Sequence, residues 1–478
     1  MKLDNVLAAK GNDNEDTSHV LNRGLSNRHI QLISIGGAIG TGLFMGAGKT
    51  ISLSGTSIIL TYMIIGFFLF FVMRALGELL LSNLKYKSFT DFVSEYIGPW
   101  AGFFVGWSYW LTYVVVVIAD CTIIAGYMQF WYPELPTWIP SLAVLGILFT
   151  INLVSVRMFG ELEFWFALIK ILAISALIIC GFVMVGMSYS SPNGVQASFS
   201  HLVEPGSMFP FGLSGFFAGF QIAIFSFAGI EVIGTTAAEA HDPHKTLPRA
   251  VNSIPVRVLI FYVLSLVSII SVSSWAQVSP GKSPFVQLFV HAGLPAAAAF
   301  INLIVITSAM SAANTGVYAT SRMLFGMGAN GQSAKFFSNL TKSKVPLNGL
   351  FLSCICMLVG LSLLLVIPEL MTVFTVLSTI SAILFIFTWA TIMASYLIYR
   401  KRAPHLHRES KFKMPLGVVM SWMCLAFFVF VTSLLALEPD TRLALSMMPV
   451  WFILLAIMYK RSARQQKAVA CGEPITAE

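Results

Sequence analysis

Apolar runs of about 20 residues alternate along the chain with short clusters of charge, Gly and Pro, and a helix of that length crosses a hydrocarbon core of roughly 30 Å. Twelve such runs begin near Ile30, Ser57, Ala101, Ile139, Phe164, Leu213, Pro255, Leu294, Leu350, Met371, Val418 and Ala444. Backbone in lipid must satisfy its own hydrogen bonds, so the pattern predicts an all-α integral membrane protein of about twelve transmembrane helices. Residues 1–28, with the polar run from Asn12 to Asp16, hold no apolar segment and read as a disordered cytosolic tail rather than a cleaved signal. Helices 1–5 fall in residues 29–187, an external loop in 188–212, helices 6–10 in 213–400, helices 11–12 in 401–460, and a second cytosolic tail in 461–478.

Composition strengthens this picture. Of 478 residues, 57% are hydrophobic and 10% charged, with a mean hydropathy of +0.81, against roughly 45–50% apolar and about 25% charged in soluble domains. A soluble domain and a secreted disulfide scaffold are excluded. The net charge of +8 and pI near 9.1 would suit a nucleic-acid binder, but its placement has a topological cause. With the N-terminus inside, 25 of the 29 Lys and Arg fall in cytoplasmic segments, against Lys49, Lys282 and Arg442 outside and Lys170 within a span. That asymmetry predicts an even span number with both termini cytoplasmic. The loop from Ser188 to Phe209 carries no Lys or Arg. Five of the six cysteines lie in apolar runs without C-x-x-C spacing and read as packing residues.

Two spans carry interruptions. The first holds Gly36, Gly37, Gly40 and Gly42 within seven residues, and the sixth places Gly229 two residues before the intramembrane Glu231. A glycine cluster alone serves close helix packing equally well. Spans one and six, however, are the first helices of two five-helix halves, and interruptions at matched positions of inverted halves point to a transporter substrate site. A break frees amides at one half-helix start and carbonyls at another's end, which complement the carboxylate and ammonium of a zwitterion. An amino acid is the simplest ligand for both.

These residues also carry a resemblance. The stretch Gly40-Thr41-Gly42-Leu43-Phe44, the pair Gly77-Glu78 and the stretch Thr235-Thr236-Ala237-Ala238-Glu239 resemble the amino-acid permeases of the amino acid/polyamine/organocation superfamily. Within it, Arg28 to Leu32, Phe216 to Gln221 and Tyr399 to His407 are most similar to the bacterial permeases of D-serine, D-alanine and glycine. One departure is Thr56, where family members usually carry Pro, Ala or Gly. The resemblance implies a five-plus-five inverted repeat with two extra helices, working by proton-coupled alternating access in the bacterial inner membrane. It implies that Ile39, Gly40, Thr41 and Gly42 hold the substrate carboxylate and that Phe225, Ser226 and Ala228 hold the amino group, with Phe225 closing over the substrate. Lys170 takes the place that sodium occupies in sodium-coupled relatives, which makes it the proton-coupling residue, with first-span carbonyls from Gly36 to Ile39 and Ser311 as its partners.

Other charges within spans are functional candidates by default. Lys170 stands seven residues beyond Glu163, taken as the cytoplasmic start of span five, hence about 10 Å inside it. Glu231 has two readings, a proton carrier or an acceptor that caps the break and holds a gate. Asp120, in the apolar stretch from Val114 to Tyr127, either lines the cavity or pairs with another polar span residue. Arg74 with Glu78, and Glu239 with Arg249, read as loop anchors and inner-gate charges. Trp107 and Trp110 read as lipid-facing or interfacial.

Gly46-Ala47-Gly48-Lys49-Thr50 imitates a phosphate loop, but Leu43 stands where the motif needs Gly, so no nucleotide site is expected. The histidines form no zinc-binding spacing, and no nucleophile and base come together. Neither a cofactor, a metal, a catalytic residue nor a nucleic-acid partner is expected. The expected partners are a small neutral amino acid such as glycine, D-alanine or D-serine, protons and the bilayer. The competing readings are an exchanger, an importer of another neutral L-amino acid, and a non-transporting sensor. Oligomeric state is not legible in the sequence.

Overall fold

The computed structural model describes residues 40–471 except 87, 155, 193, 233–242, 368 and 438. The amino-terminal half of span one, the residues expected to partner Lys170 there, Ile39 and Glu239 therefore lie outside the described residues.

The chain is built of helices: α1 (Thr41–Phe44), α2 (Gly46–Ser54), α3 (Ile58–Ser82), α4 (Phe89–Tyr96), α5 (Pro99–Met128), α6 (Trp138–Val154), α7 (Val156–Gly186), α8 (Gly212–Ala218), α9 (Phe220–Ser226), α10 (Pro243–Val272), α11 (Pro284–His291), α12 (Pro295–Ala329), α13 (Leu347–Leu361), α14 (Leu363–Val366), α15 (Leu370–Arg402), α16 (Pro404–Glu409), α17 (Gly417–Leu437) and α18 (Pro439–Cys471). Among the described residues there is no strand, only an isolated bridge between Ser190 and Gln196. Among the described residues, nine helical segments are long and apolar enough to cross a membrane, and Trp138–Leu153 and Gly212–Ser226 are shorter apolar helices.

Local chemistry sets the ends. Proline opens α5, α11, α12 and α16 at a position whose missing N–H costs nothing. Ser88 and Asp91 form a reciprocal capping box that starts α4. Gly55 takes φ +59 between α2 and α3, and a Cβ there would stand 2.2 Å from the Ser207 carbonyl oxygen, so only glycine fits this turn.

The central layer is α5 packed against α12 and α15. In its apolar window α5 is 83% buried, against 22% for the last span, so α5 forms the core and α18 the rim. Trp107 and Trp110 lie inside rather than on a lipid surface: each is buried, and their indole N–H groups donate to the Gln332 carbonyl at 3.2 Å and to Ser353 Oγ at 3.0 Å. Two expected starts also move. The helix of span five begins at Val156 and that of span seven at Pro243, because their first turns carry charge and extend beyond the apolar run.

Candidate functional site

The start of α1 and the end of α9 face each other inside the bundle. Gly40 is extended, and α1 starts directly after it. The first backbone bonds close at Phe44 N to Gly40 O, 3.5 Å, and Met45 N to Thr41 O, 2.9 Å, so the amides of Thr41, Gly42 and Leu43 have no carbonyl inside the helix to meet. Across from them α9 ends at Ser226, and the chain passes through tight turns, Phe227 N to Ile224 O and Ala228 N to Phe225 O, before Gly229 reverses it at φ +88. One break thus offers donors and the other acceptors. A Cβ on Gly42 would lie 2.6 Å from Ser226 Cα, so the absence of a side chain there lets the two breaks touch.

The end of α9 is held by two tyrosines. Tyr62 of α3 shares a 2.8 Å hydrogen bond with Ser226 Oγ, and Tyr262 of α10 donates to the Ser226 carbonyl at 2.6 Å. Phe227 packs between their rings, at 5.7 and 5.1 Å. One lone pair of that carbonyl is therefore used within the protein, and a second stays available.

A cavity of about 30 Å³ lies between the breaks. Eight residues singled out in the sequence line it: Gly40, Thr41, Gly42, Asp120, Phe225, Ser226, Ala228 and Gly229. Asp120 is buried and accepts a 2.6 Å hydrogen bond from Thr41 Oγ1 through one oxygen, while its other oxygen has no hydrogen-bond partner. Phe225 is buried with its ring edge-on to Phe374 at 5.8 Å. Residues that the sequence did not single out complete the wall: Tyr113 and Val116 of α5, Ala312 and Thr315 of α12, and Phe385 of α15. Tyr113 and Phe385 stand edge to face, 6.2 Å apart.

Glu231, Lys170 and Ser311 are outside this wall. Glu231 is fully buried and takes three donors, Tyr109 at 3.1 Å, Tyr113 at 3.5 Å and the Trp389 indole at 3.3 Å. It fixes Tyr113, a wall residue, from behind. Lys170 is fully buried in α7, 14 residues into the helix that starts at Val156, or about 21 Å along its axis rather than the 10 Å expected from Glu163. Its ammonium lies within electrostatic reach of Glu163 and Asp120. Ser311 donates to Glu163 at 2.7 Å. Glu163, read in the sequence as a helix boundary, is itself fully buried, and the signal that could have found it is its spacing of seven from Lys170, which puts both on one helix face.

Arg74 and Glu78 of α3 work at the far end of the bundle. Glu78 is fully buried and accepts from Tyr396 at 2.9 Å, the Met414 amide at 2.7 Å and His407 Nδ1 at 2.5 Å. Arg74 bonds Asn252 at 2.7 Å and the Lys413 carbonyl and stacks 3.9 Å over Phe412. Both pin the segment between α15 and α17.

Residues 29–470 match the amino acid permease family. The chain is 60% identical to the D-serine/D-alanine/glycine transporter of Escherichia coli K12 over 460 residues, covering 95% of this chain and 98% of the relative. It is 46% identical to the amino-acid permease AapA of Bacillus subtilis, covering 96% and 99%, and 38% identical to the aromatic amino acid transport protein AroP of Escherichia coli O6:H1, covering 94% and 97%. A helical membrane bundle matched over nearly its whole length by the permease family and by transporters is a transporter rather than an enzyme, and the chain belongs to the amino acid permease family.

Proposed function

We propose that this protein imports small neutral amino acids, namely glycine, D-alanine and D-serine, driven by the proton gradient across a bacterial inner membrane, with both termini in the cytoplasm. The observation that carries this reading is the small cavity at the meeting point of the two breaks. A void of about 30 Å³ has room for only a few atoms, since one water takes about 10–15 Å³ on the same measure. The name of the 60% identical relative agrees with that size limit.

The substrate carboxylate lies against the amides of Thr41 and Gly42 with Gly40 and Ile39 alongside, where helix-start dipoles favour negative charge. The ammonium faces the carbonyls of Phe225, Ser226 and Ala228 and the open oxygen of Asp120. Phe225 closes over the substrate. The two breaks belong to inverted five-helix repeats, and rocking of one against the other exposes the cavity to each side in turn. Lys170 carries the coupled proton, with Glu163 and Asp120 balancing its charge and Ser311 orienting Glu163. Glu231 positions the gate wall by way of Tyr113.

Reconstituted protein is expected to accumulate radiolabelled glycine only under an inward proton gradient, with D-alanine and D-serine competing and larger L-amino acids not. Competition by a large L-amino acid would overturn the substrate reading, gradient-independent exchange would overturn the coupling, and binding without uptake would favour a sensor.

A further inference from the structure

A second cavity, of about 370 Å³, opens where the segment after α15 meets the start of α17. Its polar wall is Arg400, His407 and Lys413, and its remaining wall includes Met414, Leu416 and Gly417. From Arg400 to Lys413 the chain carries six Lys or Arg and one acid, Glu409. The other nearby carboxylate, Glu78, is buried and already takes three donors, so it offers the cavity little negative charge.

The wall is built rather than incidental. Glu78 fixes His407, Met414 and Tyr396, and Tyr396 in turn accepts from Arg400 at 3.3 Å. Gly417 begins a helix of 21 residues, whose first amides add partial positive charge to the same cavity. Directly below, an aliphatic and aromatic stripe faces outward: Leu416 is 73% exposed, Val419 59% and Trp422 63%. Val419, Trp422 and Met423 lie at i, i+3 and i+4, one face of α17. A cationic cavity continuous with an outward apolar stripe matches one kind of ligand, a phosphodiester carrying hydrocarbon chains. Basic pockets of this type at the cytoplasmic ends of spans hold anionic lipid headgroups.

We propose that Arg400, Lys413 and the start of α17 form a site for the headgroup of an anionic glycerophospholipid, whose acyl chains lie along Leu416, Val419 and Trp422. The proposal takes from the functional reading only the side of the membrane on which this end lies. It predicts a lipid that holds the segment after α15 against α3 and α17, on the same side as Glu78.

The test uses the full chain purified in detergent, probed by native mass spectrometry with phosphatidylglycerol, phosphatidylcholine and inorganic phosphate. Phosphatidylglycerol is expected to be retained at least about tenfold more strongly than phosphatidylcholine, and the Arg400→Gln/Lys413→Gln pair to lose at least about tenfold of that retention. Arg408→Gln, outside the cavity wall, is expected to leave it unchanged, and Trp422→Ala to weaken lipid retention alone. Equal retention of the two lipids, or full retention in the double variant, would overturn the proposal. Displacement of the lipid by phosphate at equal concentration would reduce the site to one for a free anion and overturn the lipid assignment. Should Arg400→Gln fail to fold, Lys413→Gln alone carries the test, because Lys413 is exposed and its Nζ donates to the Arg408 carbonyl, a contact at the surface. Lipid retention is read without amino acid, so a failed uptake experiment leaves this result intact.

Discussion

Two acids buried in the same bundle, Asp120 and Glu231, are treated differently by their surroundings. Glu231 meets three side-chain donors, while Asp120 meets one and keeps an oxygen without a hydrogen bond at the cavity wall. Leaving a buried polar atom unpaired costs about 1–3 kcal/mol, so a fold tolerates it mainly where something else completes the bond. Between these two acids, the donors distinguish a carboxylate that holds the frame from one that stands at the cavity wall. Glu231 holds Tyr113 in place, whereas Asp120 and Thr41 sit beside the cavity as a hydrogen-bonded pair.

The largest effect that would sharpen this contrast is on stability. Glu231→Ala removes the shared acceptor of the Tyr109 and Tyr113 hydroxyls and the Trp389 indole, leaving the two hydroxyls only a long contact with each other, and is expected to cost about 3 kcal/mol. Asp120→Ala strands the Thr41 hydroxyl and removes one of the two carboxylates within reach of Lys170, leaving Glu163, and is expected to cost less, about 1–2 kcal/mol. Denaturation of the two purified variants measures both, and equal losses would break the comparison. Next in size is Lys170→Ala, which removes the cation that Asp120 and Glu163 face. Gradient-driven glycine accumulation is expected to fall by more than about tenfold while exchange persists. Unchanged uphill uptake would remove Lys170 from coupling. The smallest effect is that of Phe225→Ala, which deletes the ring that meets Phe374. Transport is expected to slow severalfold with glycine binding retained, and a wild-type rate would rule out a gating role.

The helices were legible because hydropathy reports lipid contact, and the breaks because clustered glycines interrupt a span that otherwise has no reason to stop. Where a helix runs on into water the signal fails: α10 begins twelve residues before Pro255 because its first turns, with His244, Lys245 and Arg249, are polar. The cavity wall was legible on the interrupted segments and at Asp120, a charge within an apolar span. Tyr113, Val116 and Phe385 sit in continuous apolar helices, where an aromatic or valine facing a cavity reads the same as one facing lipid. Tyr62 and Tyr262 were hidden for another reason, since each finds Ser226 across 164 and 36 residues of chain, a pairing that only the packing decides. Glu163 was masked by its neighbours, because a charge near the end of an apolar run looks like a boundary until the helix is seen to continue to Val156.

The claim that the two breaks together form the substrate site is tested most directly by glycine binding to purified Gly42→Ala. The added Cβ would meet Ser226 Cα at 2.6 Å and force the breaks apart, whereas Gly326→Ala, with nothing within 4 Å, serves as the control. Equilibrium binding of labelled glycine is expected to weaken by more than about tenfold in the first variant and to hold in the second. Wild-type affinity in a folded Gly42→Ala protein would place the substrate elsewhere.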